Sequence, residues 1–191
     1  MRAKNPKIIT VFGSSRPRDG QPGYEEARAL GSALAGKGFT VCSGGYGGVM
    51  EAVSRGAKES SGKTIGVTAK FFRSRTNQWV EKEVRKKSWQ DRLFELIRLG
   101  DGYVACTGGT GTLVELAVVW EMLNKNVVEG KPLVALGDFW RPIIDRVREV
   151  ECADHSPWGE CKKPLIEIVS SPAAAAEYLS DVLLASPDRK K

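Results

Sequence analysis

The alternation of two hydrophobic periods along the chain is the feature that most restricts its fold. Short apolar runs, several of them ending in glycine, indicate buried strands. The segments between them repeat apolar residues every three or four positions, which indicates helices. The predicted strands cover residues 7–12, 39–45, 64–69, 102–109, 131–137 and 165–169. The predicted helices cover residues 24–37, 49–60, 89–99, 112–124, 139–150 and 172–184, and residues 71–87 are expected to form a loop with a short helical piece.

This order of elements predicts the fold class. Strands that alternate with helices form βαβ crossovers and therefore a parallel sheet. Because the strand segments read as continuous apolar runs, the sheet is expected to be covered on both faces. No repeat or linker divides the 191 residues. We therefore predict one α/β domain over residues 1–191, a Rossmann-like doubly wound parallel sheet flanked by helices.

Three of the predicted strands end in loops suited to binding an anion. Ligands of open parallel sheets bind at the carboxyl ends of the strands. Glycines let backbone N–H groups approach a phosphate, and a following helix adds its positive dipole end. A tight turn that merely requires glycine is the alternative for any single loop. The candidate phosphate- or nucleotide-binding residues are Gly13, Ser14 and Ser15 after the first strand, Gly44, Gly45 and Gly47 after the second, and Gly108, Gly109, Thr110, Gly111 and Thr112 after the fourth.

The loops do not match the common nucleotide fingerprints. The first strand is followed by GSSRPRDG, which lacks the G-x-G-x-x-G spacing of dinucleotide-binding folds, and a Walker sequence is absent. No lysine lies within the three loops, so a pyridoxal phosphate enzyme is not indicated. A mononucleotide or a sugar phosphate fits these loops better than a dinucleotide or ATP.

Glu115 is the candidate catalytic carboxylate. It lies three residues after Thr112 on the same predicted helix, so both can face one pocket. An exposed acid that complements the helix dipole is the alternative. The flanking residues are Leu113, Val114, Leu116 and Ala117. Because these flanks are apolar, a solvated face is disfavoured and a functional carboxylate is favoured.

These motifs resemble the Lonely-guy (LOG) family, whose members were long mislabelled as lysine decarboxylases. The family pattern P-G-G-x-G-T-x-x-E corresponds to residues 107–115, with Thr107 in place of the proline. The G-G block of the family corresponds to residues 44–53, and its G-S-S element to residues 13–15. The resemblance extends over about residues 7–150. Arg92 looks like the arginine that precedes the glycine motif in the family, although the usual M-H-x-R-K reads W-Q-D-R-L here.

The resemblance implies a phosphoribohydrolase. Family members cleave the N-glycosidic bond of adenine-type nucleoside 5′-monophosphates, such as AMP or cytokinin riboside monophosphates, to the base and ribose 5-phosphate. Glu115 would stabilise the oxocarbenium-like ribose or orient water, and Arg92 would hold the ligand and position Glu115. No cofactor or metal is needed, and a homodimer is implied, with Trp120 and Met122 suited to a subunit contact. The altered segment around Arg92 keeps a second reading open, a non-catalytic binder or carrier of a phosphorylated nucleotide or of the molybdenum cofactor.

Charge and cysteine usage narrow the remaining classes. The net charge is +6, but much of the basic excess lies in short surface-like runs, so nucleic acid is an unlikely partner. No apolar run reaches membrane-spanning length and no secretory signal is evident, so we expect a cytoplasmic protein. Cys152 and Cys161 flank His155, but their spacing fits no closed zinc site, and a disulfide is not expected in a reducing compartment.

Overall fold

The computed structural model describes residues 6–72, 74–128, 130–153 and 164–184. These residues form seven strands and six helices. The strands are β1 (Ile8–Phe12), β2 (Thr40–Ser43), β3 (Thr64–Ala69), β4 (Lys82–Lys86), β5 (Gly102–Ala105), β6 (Leu133–Leu136) and β7 (Ile166–Val169). The helices are α1 (Pro22–Gly36), α2 (Val49–Glu59), α3 (Trp89–Leu99), α4 (Thr110–Asn124), α5 (Arg141–Ala153) and α6 (Pro172–Leu184).

All seven strands join one parallel sheet in the order β4-β3-β2-β1-β5-β6-β7. The chain winds outward from β1 to β4 and then returns through α3 to β5 on the other side of β1. The strand order therefore reverses between β1 and β5, where a crevice opens at the carboxyl ends of the strands. The predicted α/β Rossmann-like, doubly wound fold is confirmed.

The two faces of the sheet bury separate apolar clusters. One cluster lies beneath α1, α2 and α6, and the other beneath α3, α4 and α5. Two glycines allow α1 and α2 to cross closely, because a β-carbon on Gly31 would lie 2.0 Å from the Val53 carbonyl oxygen and one on Gly56 would lie 1.8 Å from that of Arg28. This close crossing fixes the amino terminus of α2 beside the end of β1.

The prediction of a loop with a short helical piece over residues 71–87 is wrong in part, because residues 82–86 form the strand β4. This strand pairs in parallel with β3, from Ile65 opposite Lys82 to Ala69 opposite Lys86. It is an edge strand whose sequence, KEVRK, is mostly exposed, with only Val84 packed against the core. Charged residues on an edge strand hinder pairing with other chains and also hide the strand from a hydrophobicity pattern.

Helix α5 begins at Arg141, later than predicted, which leaves Phe139 in the loop after β6. Among the described residues, none of the helices is long and apolar enough to cross a membrane. His155 and Cys161 lie outside the described residues. The expectation of reduced thiols is wrong at Cys152, which is disulfide-bonded. Trp120 and Met122 are half-buried against the core, and the subunit contact stays a prediction.

Candidate functional site

A cavity of about 630 Å³ opens where the strand order reverses. It is lined by the loops after β1 and β5 and by residues of α2, α3 and α4. The size lies within the range of small-molecule sites. Aromatic side chains line one end, and glycines and hydroxyl groups line the other. The cavity can therefore receive a ligand with one planar and one anionic end.

The polar end is built around the first turn of α4. The segment Gly108–Thr112 lines the cavity, and the N-cap residue Gly109 contributes no side-chain cap. A β-carbon at Gly108 would lie 2.1 Å from Thr112 Oγ1, so glycine is required for this tight entry to the helix. Helix N-termini present unpaired N–H groups and a positive dipole end. This turn is therefore suited to a phosphate group.

The loop after β1 is locked against this turn and against α2. The Ser14 amide donates to the Thr107 carbonyl oxygen at 3.2 Å, and the Ser14 carbonyl oxygen accepts from the Val49 amide at 2.8 Å. Gly48, at φ +70°, packs on the backbone of Ser14 and Ser15 with no space for a side chain. These contacts hold Gly13, Ser14 and Ser15 at the cavity wall without a contribution from a ligand.

Glu115 faces the cavity one turn further along α4. Its side chain is 14% exposed, and its Oε1 lies 3.7 Å from Arg92 Nη1. Burial raises the pKa of Glu115 to about 7, although Arg92 pulls this pKa in the opposite direction. Because that pKa is near neutrality, the carboxyl group can exist in either protonation state at physiological pH.

Arg92 is enclosed on almost every side. Its Nε donates to the Val67 carbonyl oxygen at 2.9 Å, and its Nη2 lies 3.8 Å from Met50 Sδ. The centroids of the Tyr46 and Phe72 rings each lie 5.6 Å from the guanidinium carbon, within the range of cation–π contacts. The guanidinium is thus fixed, and its Nη1 is the nitrogen directed towards Glu115.

Gly44 lies directly beneath this guanidinium rather than at the cavity wall. A β-carbon at Gly44 would lie 1.8 Å from Arg92 Nη2 and 2.6 Å from Met50 Sδ. The other two candidate glycines of this loop, Gly45 and Gly47, do not line the cavity either. Gly45, at φ +75°, accepts a hydrogen bond from the Asn77 amide, and Gly47 lies near Glu51 and Arg18. These three glycines therefore do not line the cavity, although Gly44 packs against the candidate residue Arg92.

The remaining candidates meet in the cavity. Its lining includes Glu115, Arg92, Gly13, Ser14, Ser15, Gly108, Gly109, Thr110, Gly111 and Thr112. The candidate residues did not include the aromatic end, formed by Tyr46, Phe72 and Trp89, or Phe139, which lines the cavity from the loop after β6. A signal for Trp89 was present, because it stands at the start of the altered W-Q-D-R-L segment. Phe72 lies in a segment without a periodic pattern, and Phe139 was assigned to a predicted helix, so only the fold brings them to the crevice.

Tyr46 joins the aromatic end to the sheet. Its hydroxyl group donates to the Ala69 carbonyl oxygen at 3.2 Å and accepts from the Ala69 amide at 3.0 Å. The ring meets Phe72 edge to face, at 5.5 Å between centroids. The end of β3, Phe72 and Arg92 are therefore held in one fixed arrangement around the Tyr46 ring.

The chain is similar in sequence and fold to several known proteins. A cytokinin riboside 5′-monophosphate phosphoribohydrolase from Rhodococcoides fascians is 28% identical over 151 residues, which cover 74% of this chain and 74% of the relative. The molybdenum cofactor binding protein from Rippkaea orientalis has a similar structure, with a TM-score of 0.73, 25% identity, and coverage of 95% of this chain and 99% of that one. The molybdenum cofactor carrier protein from Chlamydomonas reinhardtii shares the fold, with a TM-score of 0.70, 21% identity, and coverage of 94% and 99%.

The family assignment rests on the greater part of the chain. The model of the SLOG cluster4 family matches residues 6–152, which span β1 to α5 and include every residue lining the cavity. The glycine turn, Glu115 and Arg92 all lie inside the matched region. The chain therefore belongs to the SLOG cluster4 family, a LOG-like family of Rossmann-like proteins.

Proposed function

We propose that the protein is a phosphoribohydrolase that cleaves the N-glycosidic bond of a nucleoside 5′-monophosphate, such as AMP or a cytokinin riboside monophosphate. The observation that carries the proposal is the position of Glu115. Its buried carboxyl group lies one helical turn from a phosphate-binding turn and beside a fixed arginine, within one cavity. The phosphoribohydrolase relatives support the same activity.

The 5′-phosphate binds at the first turn of α4. The amides and hydroxyls of Gly109, Thr110 and Thr112 hold its oxygens, with Ser14 and Ser15 facing it from the β1 loop. The exposed Arg16, which also lines the cavity, adds a positive charge. Binding energy at this remote group then orients the ribose for reaction.

The ribose lies over Glu115. As the bond between C1′ and the base breaks, positive charge develops on the sugar ring, and the Glu115 carboxylate stabilises it. The hydroxyl group of water adds to C1′, and its proton passes to the departing base. Arg92 orients the carboxylate, because its Nη1 faces Glu115 while its other contacts fix the guanidinium. The base occupies the aromatic end, against Phe72 and Trp89.

The activity is tested by incubating the protein with AMP and separating the products by chromatography. We expect equimolar adenine and ribose 5-phosphate, and we expect Glu115→Gln to abolish their release. Glu121→Gln is the matched control, since Glu121 is exposed on the same helix and outside the cavity. Equal release by the wild-type protein and Glu115→Gln would contradict the proposed role of this carboxylate.

A second candidate function is a non-catalytic carrier of a phosphorylated nucleotide or of the molybdenum cofactor. The similarity to the Rippkaea orientalis protein over 95% of the chain favours it, as does the altered segment around Arg92. This function requires tight binding without product release. Thermal stabilisation by AMP or by the molybdenum cofactor, with no adenine formed from AMP, would favour the carrier over the enzyme.

A further inference from the structure

A second, cationic cavity adjoins the cavity of the proposed site. The second cavity has a volume of about 440 Å³ and lies at the carboxyl ends of β3 and β4. Tyr46, Phe72 and Ser74 line both cavities. The two cavities are therefore neighbours that share these three residues.

Positive charge dominates the second cavity. Lys70, Arg75 and Arg85 line it, against one carboxylate, that of Glu83. Among the residues that the structure describes, none of these three cations forms an ion pair at salt-bridge distance. No described carboxylate therefore holds these three cations at contact distance.

The carboxylate of Glu83 is already occupied. The Thr68 hydroxyl group donates to Glu83 Oε1, and this hydrogen bond, one with Thr76 and the charge of Arg85 lower the pKa of Glu83. The acid is thus held among hydroxyl groups and near Arg85, and one carboxylate does not neutralise all three cations. Thr76 and Ser74 add further hydroxyl groups to the lining. A cavity with three cations and several hydroxyls is suited to an anion.

The orientation of the bound nucleotide determines which of its groups reaches the cationic cavity. With the phosphate on α4 and the ribose over Glu115, the base points towards Tyr46 and Phe72, and these are the residues shared with the cationic cavity. We propose that the cavity at the ends of β3 and β4 binds an anionic substituent on the base of the substrate, a carboxylate or a phosphate. This inference rests on the proposed function, because it takes the orientation of the nucleotide from it.

An apolar cavity beside Phe72 provides the competing outcome. It is lined by Phe71, Phe72 and Trp89, with Lys70 and Lys87 at its edge, and would receive an uncharged alkyl substituent instead. The apolar cavity shares two residues, Phe72 and Trp89, with the cavity of the proposed site. The cationic cavity shares three residues with the cavity of the proposed site. Substituents with the same chain length and different charge therefore discriminate between the two.

Four ligands test the proposal by calorimetry, with the Glu115→Gln protein used to prevent turnover. They are AMP and three derivatives whose exocyclic amino group carries a propyl, a carboxyethyl or a phosphonoethyl chain. We expect at least one anionic derivative to bind about tenfold or more tightly than the propyl derivative. The stronger of the two anionic derivatives identifies the group that the cavity takes.

Two double variants then show whether Arg75 and Arg85 cause the tighter binding of the anionic derivative. Arg75→Gln with Arg85→Gln should abolish the advantage of the anionic derivative and leave the affinity for AMP within about twofold. Arg141→Gln with Arg146→Gln removes the same charge from exposed positions on α5 and should leave the advantage intact. Tighter binding of the propyl derivative, or an equal loss of affinity for all four ligands in the first double variant, would overturn the proposal.

Failure of the anionic subsite and failure of the proposed function give different experimental results. If the wild-type protein hydrolyses AMP but the anionic derivatives bind no better than the propyl one, the phosphoribohydrolase stands and the anionic subsite is wrong. If an anionic derivative binds through Arg75 and Arg85 but no ligand is hydrolysed, the subsite stands and the catalytic function is wrong.

Discussion

The carboxylate of Glu115 and the guanidinium of Arg92 are 3.7 Å apart, within ion-pair range but beyond the length of a good hydrogen bond. Both side chains are mostly buried, with 14% and 7% of their surface exposed. Both residues line the cavity, so we expect a ribose hydroxyl group or a water molecule beside the pair to accept from Arg92 and donate to Glu115.

The first prediction concerns the pH dependence of activity. If the Glu115 carboxylate is the reactive form, kcat/KM should fall about tenfold per pH unit below the pKa of about 7 and level off above it. An Arg92→Met variant should move the midpoint to higher pH, because the arginine lowers this pKa. A profile of rates from pH 5 to pH 9 measures both. A midpoint near pH 4.5 in the wild-type protein would show that the titrating group is not this buried carboxyl group.

The same pKa predicts a pH-dependent difference in stability. The folded state holds a proton on Glu115 that the unfolded chain releases above its own pKa of 4.5. The stabilisation is complete below pH 4.5 and is lost as the pH rises through about 7. The Glu115→Gln variant lacks this titrating group, so its free energy of unfolding does not fall in this way. The loss in the wild-type protein amounts to at most about 3 kcal/mol. The Tm of the variant relative to wild type should therefore increase by several degrees from pH 5 to pH 8, as measured by calorimetry. A difference that is constant with pH would contradict the buried carboxyl group.

The fold was predictable from sequence because burial on both faces of the sheet produces continuous apolar runs. The strand β4 was not, since its exposed edge residues carry charges and only Val84 reaches the core. The turn at Gly108–Thr112 and Glu115 could be predicted because a strand, a glycine turn and a helix are consecutive in sequence. Gly44 could not be distinguished from the cavity-lining glycines, because its partner, Arg92, is distant in sequence and the clash is visible only in three dimensions.

Arg92 is predicted to act through the shape of its guanidinium group as well as through its charge. Lysine keeps the charge but loses the hydrogen bond from Nε to Val67 and the planar contacts with Tyr46 and Phe72. Arg92→Lys should lower kcat on the order of a hundredfold and change KM by less than about threefold. Arg98→Lys, an exposed change on the same helix, is the control. A large rise in KM with kcat unchanged would instead make Arg92 a simple phosphate-binding residue.

Trp89 is predicted to contribute to binding of the base. It begins α3, is half-buried, and lines the cavity of the proposed site together with Phe72. Loss of a stacking ring costs roughly 1–3 kcal/mol per base, so Trp89→Ala should raise KM for AMP on the order of ten- to a hundredfold, while Trp89→Phe should retain most of the affinity. Ribose 5-phosphate, measured as a product inhibitor, is the control ligand because it has no base. Equal weakening of both ligands by Trp89→Ala would show that the ring supports the cavity rather than the base.

Gly44 is predicted to position Arg92 without touching the ligand. In Gly44→Ala the new β-carbon would lie 1.8 Å from Arg92 Nη2, so the guanidinium must move away from its place opposite Glu115. We expect kcat to fall as in Arg92→Lys, because the same contact is displaced, and the affinity for ribose 5-phosphate to remain within about twofold, because the first turn of α4 is unchanged. Gly36→Ala, at a position with open space around it, is the matched control. If Gly44→Ala instead weakened ribose 5-phosphate and left kcat intact, Gly44 would belong to the phosphate site, as the sequence first suggested.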